Sequence, residues 1–279
     1  MSPRAATKVR PAAVAGRFYP GDATTLRTTV DDELARARPW SGPVPEALVV
    51  PHAGYVYSGP IAASGYATLA AARDSIHRVV LLGPAHYVGF DGVGVSSADA
   101  FATPLGDVRI DVELRDRVLA LPGVRVHDAA HGPEHSLEVH LPFLQRTLAD
   151  FALLPLVVGR APAETVAALI DAVWNGPDTL VVVSTDLSHY LDHDTAARRD
   201  RATAAAVVNG DLDEIAPDDA CGAYPLRGLL AAARERDLVV ELLDLRNSGD
   251  TAGPRDRVVG YAAFALVPAP TPFGQKPRP

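Results

Sequence analysis

Short unbroken apolar runs, set apart by stretches with helical spacing, are the dominant pattern along this chain. Ala47–Val50, Val79–Leu82, Leu153–Val158 and Leu180–Val183 contain no charged residue and read as strands buried on both faces. Between them lie helix signatures. Asp22 stands as a cap for a helix running to Arg38, with Pro39 as its stop and Leu26, Val30 and Leu34 as its buried stripe. Pro60 is placed as the first residue of a small-residue helix reaching Arg73. Further helices are predicted over Asp111–Leu121, from near His135, over Pro162–Trp174, from Asp192 or Asp194 to Asn209-Gly210, and from Pro225 to about Arg236. Gly92–Ser96 and Val108–Ile110 read as short strands, and Val239–Leu245 and Val258–Val267 close the sheet. Alternating strands and helices predict a three-layer α/β/α sandwich around a mostly parallel or mixed central sheet. One domain over residues 12–267 is expected, with residues 1–11 and 268–279 as flexible tails.

Composition narrows the partners. The 279 residues are 48% hydrophobic and 22% charged, with a formal net charge of −8, the balance of an ordinary globular protein. An acidic chain without basic, aromatic-laced stretches argues against nucleic acid or an anionic membrane as partner. No apolar run approaches the roughly 18 residues of a membrane span, and MSPRAATKVRPAAVAG has no secretory apolar core. One cysteine forms no internal disulfide, so a cytoplasmic location is expected.

The candidate chemistry sits at strand ends. Three apolar runs lead into a histidine followed closely by a tyrosine: His52 with Tyr55, His86 with Tyr87, and His189 with Tyr190. Open α/β sheets keep ligands at the carboxyl ends of their strands. His52 and His86, each among Gly and Pro, therefore point to a shared metal or substrate site, and the three tyrosines to hydroxyls lining it. Asp186 lies three residues before His189, a pairing that suits a general acid or base. Cys221 precedes a helix start, where backbone N–H groups favour a thiolate; packing as a small hydrophobe is the other reading, and spacing does not decide between them. His131–His135 spells H-x-x-E-H, the pattern of inverted zinc peptidases, but Gly132-Pro133 interrupt the helix it needs. A helix starting near His135 instead puts His135 and Glu138 on one face toward the crevice, with His140 behind them. His77 and His127 read as surface residues. No GxxxxGK(S/T) loop, strand-associated GxGxxG or GxSxG elbow is present.

Taken together, PHAGYVYSG (51–59), LLGPAHY (81–87), TPLGDV (103–108), EHSLEVHLPFLQ (134–145), STDLSHY (184–190) and CGAYPL (221–226) resemble the Memo family, whose prokaryotic members are often called AmmeMemoRadiSam system protein B. The blocks extend over nearly the whole chain. The family is similar in fold to class III extradiol (LigB-like) ring-cleaving dioxygenases. That likeness implies a metal site at His52, His86 and Cys221, with Asp186 and His189 in the acid/base position. Cys221 departs from the two-histidine, one-carboxylate set of the dioxygenases, so catechol cleavage does not carry over. The resemblance implies a redox protein binding Fe(II) or copper, acting on an unnamed small molecule or peptide, and linked to radical-SAM and AMMECR1-type proteins. Two other expectations stand beside it: a module that docks a protein or peptide in the same crevice, as the family's signalling role in animals suggests, and a zinc-assisted hydrolase.

Overall fold

The computed structural model describes residues 7–270. In chain order its elements are β1 (Val9–Arg10), α1 (Ala23–Arg36), β2 (Ala47–Val50), α2 (Tyr55–Tyr66), β3 (Arg78–Pro84), β4 (Val93–Val95), β5 (Ala100–Phe101), β6 (Val108–Arg109), α3 (Val112–Leu119), β7 (Val124–Val126), α4 (Asp128–His131), α5 (Leu141–Thr147), β8 (Ala152–Val158), α6 (Ala163–Val173), β9 (Thr179–Ser184), β10 (His189–Leu191), α7 (His193–Asn209), α8 (Ala223–Arg234), β11 (Leu238–Asn247) and β12 (Val258–Pro268).

Nine strands form one mixed sheet in the order β10-β12-β2-β9-β3-β8-β4-β7, with β11 also paired to β12. Its centre, β2-β9-β3-β8, is parallel. The fully apolar strands expected from the sequence are these four. Their side chains alternate between two cores: Leu48, Val50, Val79, Leu81, Leu180 and Val182 pack with Leu26, Ile61 and Phe143, whereas Val49, Val80, Leu82, Val181 and Val183 pack with Val166, Leu226 and Leu229. Helices α1, α2 and α5 thus cover one face and α3, α6, α7 and α8 the other, giving the three layers. A period-two run can be apolar throughout only when both faces are covered.

Caps behave as their chemistry dictates. Asp22 accepts from Thr25 N, Asp111 from Leu114 N and Asp192 from Thr195 N, and Gly210 closes α7 in the left-handed region at φ 72°.

Three expectations change. Helix α2 begins at Tyr55, not Pro60, because Tyr55 N donates to Phe18 O and Ser58 Oγ to Ala53 O, securing an earlier first turn. Pro60 lies inside the helix, where it leaves the carbonyl of exposed Val56 without its helical donor. No helix starts at His135: residues 132–137 form turns, Glu138–His140 is 3-10, and α5 starts at Leu141. Pro142 cannot donate to the Glu138 carbonyl, and Leu141 N takes that place in a 3-10 bond. Finally, the expected flexible segment 1–11 is docked where it is described. Val9–Arg10 pairs with β5 in a small sheet with β6, and Arg10 is buried. Residues 1–6 and 271–279 of the expected tails lie outside the described residues, and β12 continues to Pro268.

Candidate metal centre

Because β2 and β3 flank β9 in parallel, the residues that follow all three strands emerge at one edge of the sheet. His52 follows β2 by one residue beyond Pro51, His86 follows β3, and Ser184 ends β9 between them. The His52 and His86 rings lie 5.0 Å apart, centroid to centroid. The turn after Gly132 brings a third imidazole, His135, to 5.4 Å from His52 and 4.6 Å from His86. One ring nitrogen from each of these three histidines lies within 4.8 Å of the others, the one such group of three or more metal-ligating side chains among the described residues. The approach of the third loop depends on Gly83, where a Cβ would meet Ser136 Oγ at 2.7 Å and Leu137 at 2.9 Å.

Hydrogen bonds set the rings. His86 Nδ1 lies 2.9 Å from Glu134 Oε1, and His86 N and Ser136 N also donate to that carboxylate. A carboxylate only accepts, so Nδ1 carries the proton and Nε2 presents a lone pair. Burial opposes the Glu134 charge, but the hydrogen bond from the His86 ring and those from the backbone outweigh it and bring its pKa to about 2. His52 Nδ1 lies 2.6 Å from Ser184 Oγ, and its Nε2 lies 3.3 Å from Cys221 Sγ and 3.9 Å from Asp186 Oδ2. Burial, and then the neighbouring imidazoles, hold His52 well below the usual histidine range. Burial together with His86 likewise brings His135 to about 4. His135 Nδ1 is 3.4 Å from Glu134 Oε1 but off the hydrogen-bonding axis, and is left buried without a partner.

Imidazole nitrogens that converge on a common space are a donor set that Fe(II), copper and zinc accept. The residues therefore fit a metal ion.

The other expected site residues divide. Cys221 reaches His52 but is not one of the mutually close three, and burial, then the Asp186 charge, push its thiol far above the usual range. A bound cation would have to displace that proton. Asp186 does not hydrogen-bond the His189 ring; its Oδ1 accepts from His52 N at 2.8 Å, and His189 Nδ1 pairs with the Leu187 carbonyl at 2.8 Å. Burial raises Asp186 to about 6, against the pull of the His52 N–H. Tyr87 and Tyr190 stand exposed at the rim, Tyr87 edge-on to His135 and Tyr190 under the Arg257 guanidinium. Tyr190 holds a positive φ of 63°, one of two non-glycine residues to do so among the described residues. Tyr55 is buried, its hydroxyl donating to Val139 O at 2.6 Å.

Glu138 corrects the expectation that it looks into the crevice with His135. It is fully buried, paired with Arg10 at 2.5 Å and accepting from Ala13 N, Val14 N and Tyr19 Oη. Arg10 also donates to the carbonyls of His131, Gly132 and Glu134, so the N-terminal segment clamps the loop that carries Glu134 and His135. Of the H-x-x-E-H letters, His131 turns away to Gly94 O, but Glu134 and His135 both belong to the site. Glu134 carries no sequence signal of its own, because it acts from a turn and the H-x-x-E-H spacing has meaning only on a helix.

The fold and the site together define a mixed α/β protein with a three-histidine pocket at the carboxyl edge of its parallel strands. The family profile described as Memo-like protein matches residues 10–265. A MEMO1 family protein of Aquifex aeolicus is 37% identical over 274 residues, covering 93% of this chain and 100% of the relative. One from Ignicoccus hospitalis is 37% identical over 289 residues, covering 91% and 97%. The chain belongs to the Memo family. Among solved structures, an uncharacterized protein of Escherichia coli K12 aligns over 78% of this chain and 98% of its own, with 16% identity and a TM-score of 0.46. No helix among the described residues is long and apolar enough to cross a membrane.

Proposed function

We propose that the protein is a cytoplasmic metal-dependent redox protein, with Fe(II) or copper held by His52 and His86. The observation that carries this reading is the convergence of three imidazole nitrogens within 4.8 Å. That convergence adds His135 to the expected ligands, and Cys221, 3.3 Å from His52 Nε2, stands beside them as a sulfur donor. When bound, the ion supplies a Lewis-acid and electron-transfer centre. The chain's own groups bind, orient and move protons around it. Glu134 fixes the His86 ring, and Asp186, whose carboxyl pKa is raised above the usual range by burial, is the group beside His52 suited to exchange a proton. His189, with Nδ1 committed to Leu187 O, keeps Nε2 for proton exchange with a substrate. Tyr87 and Tyr190 form the rim such a substrate passes.

Metal analysis of protein purified without a polyhistidine tag, followed by anaerobic Fe(II) titration, tests the reading. Near-stoichiometric iron or copper, lost in His52→Ala and His86→Ala, is expected. Comparing His135→Ala with Cys221→Ser shows which completes the ligand set. His189→Ala should keep the metal while losing turnover. A folded protein that binds no metal under these conditions contradicts the reading and leaves a docking crevice.

A second reading has one observation in its favour. Three converging histidines without a carboxylate among them are a donor set that zinc accepts, with a water in the fourth place, for assisted hydrolysis. Zinc retained through purification and not exchanged by Fe(II) would select it.

A further inference from the structure

Behind His52, on the side away from the crevice, lies a buried polar cluster with no place in the proposed chemistry. Ser184 Oγ is 2.6 Å from His52 Nδ1, 2.8 Å from His140 Nε2 and 2.6 Å from Ser136 O. All four residues are closed to solvent: Ser136 and Ser184 are 0% exposed, His52 and His140 1%. Water cannot substitute for any of these partners, so the protons must be shared among the groups present.

A hydroxyl has one proton and two lone pairs. The Ser136 carbonyl has no proton to give, so the Ser184 proton points to it. Both lone pairs of Ser184 Oγ then receive N–H groups, one from His52 Nδ1 and one from His140 Nε2. Any other allocation places two acceptors against each other at hydrogen-bond distance in a buried site, at a cost of about 1–3 kcal/mol for the unsatisfied group. A separate observation agrees. His140 Nδ1 is buried without a partner; as a lone pair it is a tolerable orphan, whereas an N–H there would be the rarer and costlier kind.

We propose that Ser184 is a positioning residue which, with its second donor His140, locks His52 in the Nδ1–H tautomer and so presents the Nε2 lone pair to the crevice. The assignment gives His52 and His86 the same tautomer by different means: a shared hydroxyl at the end of β9 for the one and a carboxylate on the loop after Gly132 for the other. It rests on the metal-site reading for its purpose, but not for its test.

The test is the tautomeric state of the metal-free protein at neutral pH, read by long-range proton–nitrogen NMR correlation on 15N-labelled imidazoles. His52 should show a protonated Nδ1 and an unprotonated Nε2, and His140 the reverse. Ser184→Ala should release His52 into both tautomers or the opposite one and weaken cobalt(II) binding by about 10–100-fold. Ser184→Thr, which keeps the hydroxyl, should restore the wild-type nitrogen shifts and affinity. A His52 Nε2–H tautomer in the wild-type protein overturns the proposal, with no need for a folded variant. So does Ser184→Ala leaving the His52 tautomer unchanged. Wild-type protein with the stated tautomers that takes up no cobalt(II) sustains the lock and defeats the metal reading alone.

Discussion

The ends of β2 and β3 are built from nearly the same local recipe, an apolar strand, a proline and a histidine, yet they deliver different imidazoles. His52 is 1% exposed and leans on a neutral hydroxyl. The His86 side chain is 27% exposed and is tethered by a carboxylate that also binds its backbone N–H. One ring is kept neutral by enclosure, whereas the other is oriented by an anion behind it. The difference originates outside both motifs, in Ser184 on the neighbouring strand and in Glu134 on a loop clamped by Arg10. Local sequence places a ligand; the partner that tunes it arrives from elsewhere in the chain.

Glu134→Ala breaks the comparison most sharply. It leaves the His86 ring, His86 N and Ser136 N without their acceptor, and the expected loss, from urea unfolding, is on the order of 3–5 kcal/mol. A change below about 1 kcal/mol would show that the carboxylate does not secure this side.

Acid separates the two regions next. His52, His131, His135 and His140 are all held below the usual histidine range by burial. Unfolded chains take up these protons near 6.5, so the unfolded state binds more of them below that pH. The imidazole contribution to stability is therefore complete above 6.5 and declines as pH falls toward the folded values. His131, which lies outside the crevice and is held at about 4, contributes about 3 kcal/mol to that decline. Glu134, held at about 2 against an ordinary 4.5, contributes about 3 kcal/mol that is present above 4.5 and lost from there down to 2. Urea midpoints against pH should fall in these two windows. Glu134→Gln should shrink the lower window by about 3 kcal/mol and leave the upper one in place, and an unchanged upper window in His131→Gln would exclude a neutral imidazole there.

The tyrosines sharpen the contrast by small amounts. Tyr55→Phe removes the buried bond to Val139 O, at about 1 kcal/mol of stability. Tyr87→Ala, at an exposed rim position, should change stability by no more than about 0.5 kcal/mol while altering whatever binding the crevice has. The reverse order would place Tyr55, not Tyr87, at the mouth.

Where the sequence and the structure part, the cause is a hydrogen-bond partner supplied at long range. The helix expected from Pro60 begins at Tyr55 because Phe18 O receives its first N–H. Glu138 turns from the crevice because Arg10 and two backbone N–H groups from the N-terminal segment reach it across more than 120 residues of sequence. Glu134 was visible as a letter in H-x-x-E-H, and the broken helix made it look inert; it acts from a turn, for which no spacing rule exists.

The sequence by itself determined the sheet and its edge. Fully apolar runs of four to six residues require cover on both faces, and parallel strands of that kind must carry their following loops to one side, which put His52 and His86 together. Only the tertiary structure decided which side chains complete the pocket and which way each ring faces. Those choices depend on hydrogen-bond partners remote in the chain, and a buried imidazole takes its tautomer from whichever donor or acceptor folding brings to its other nitrogen.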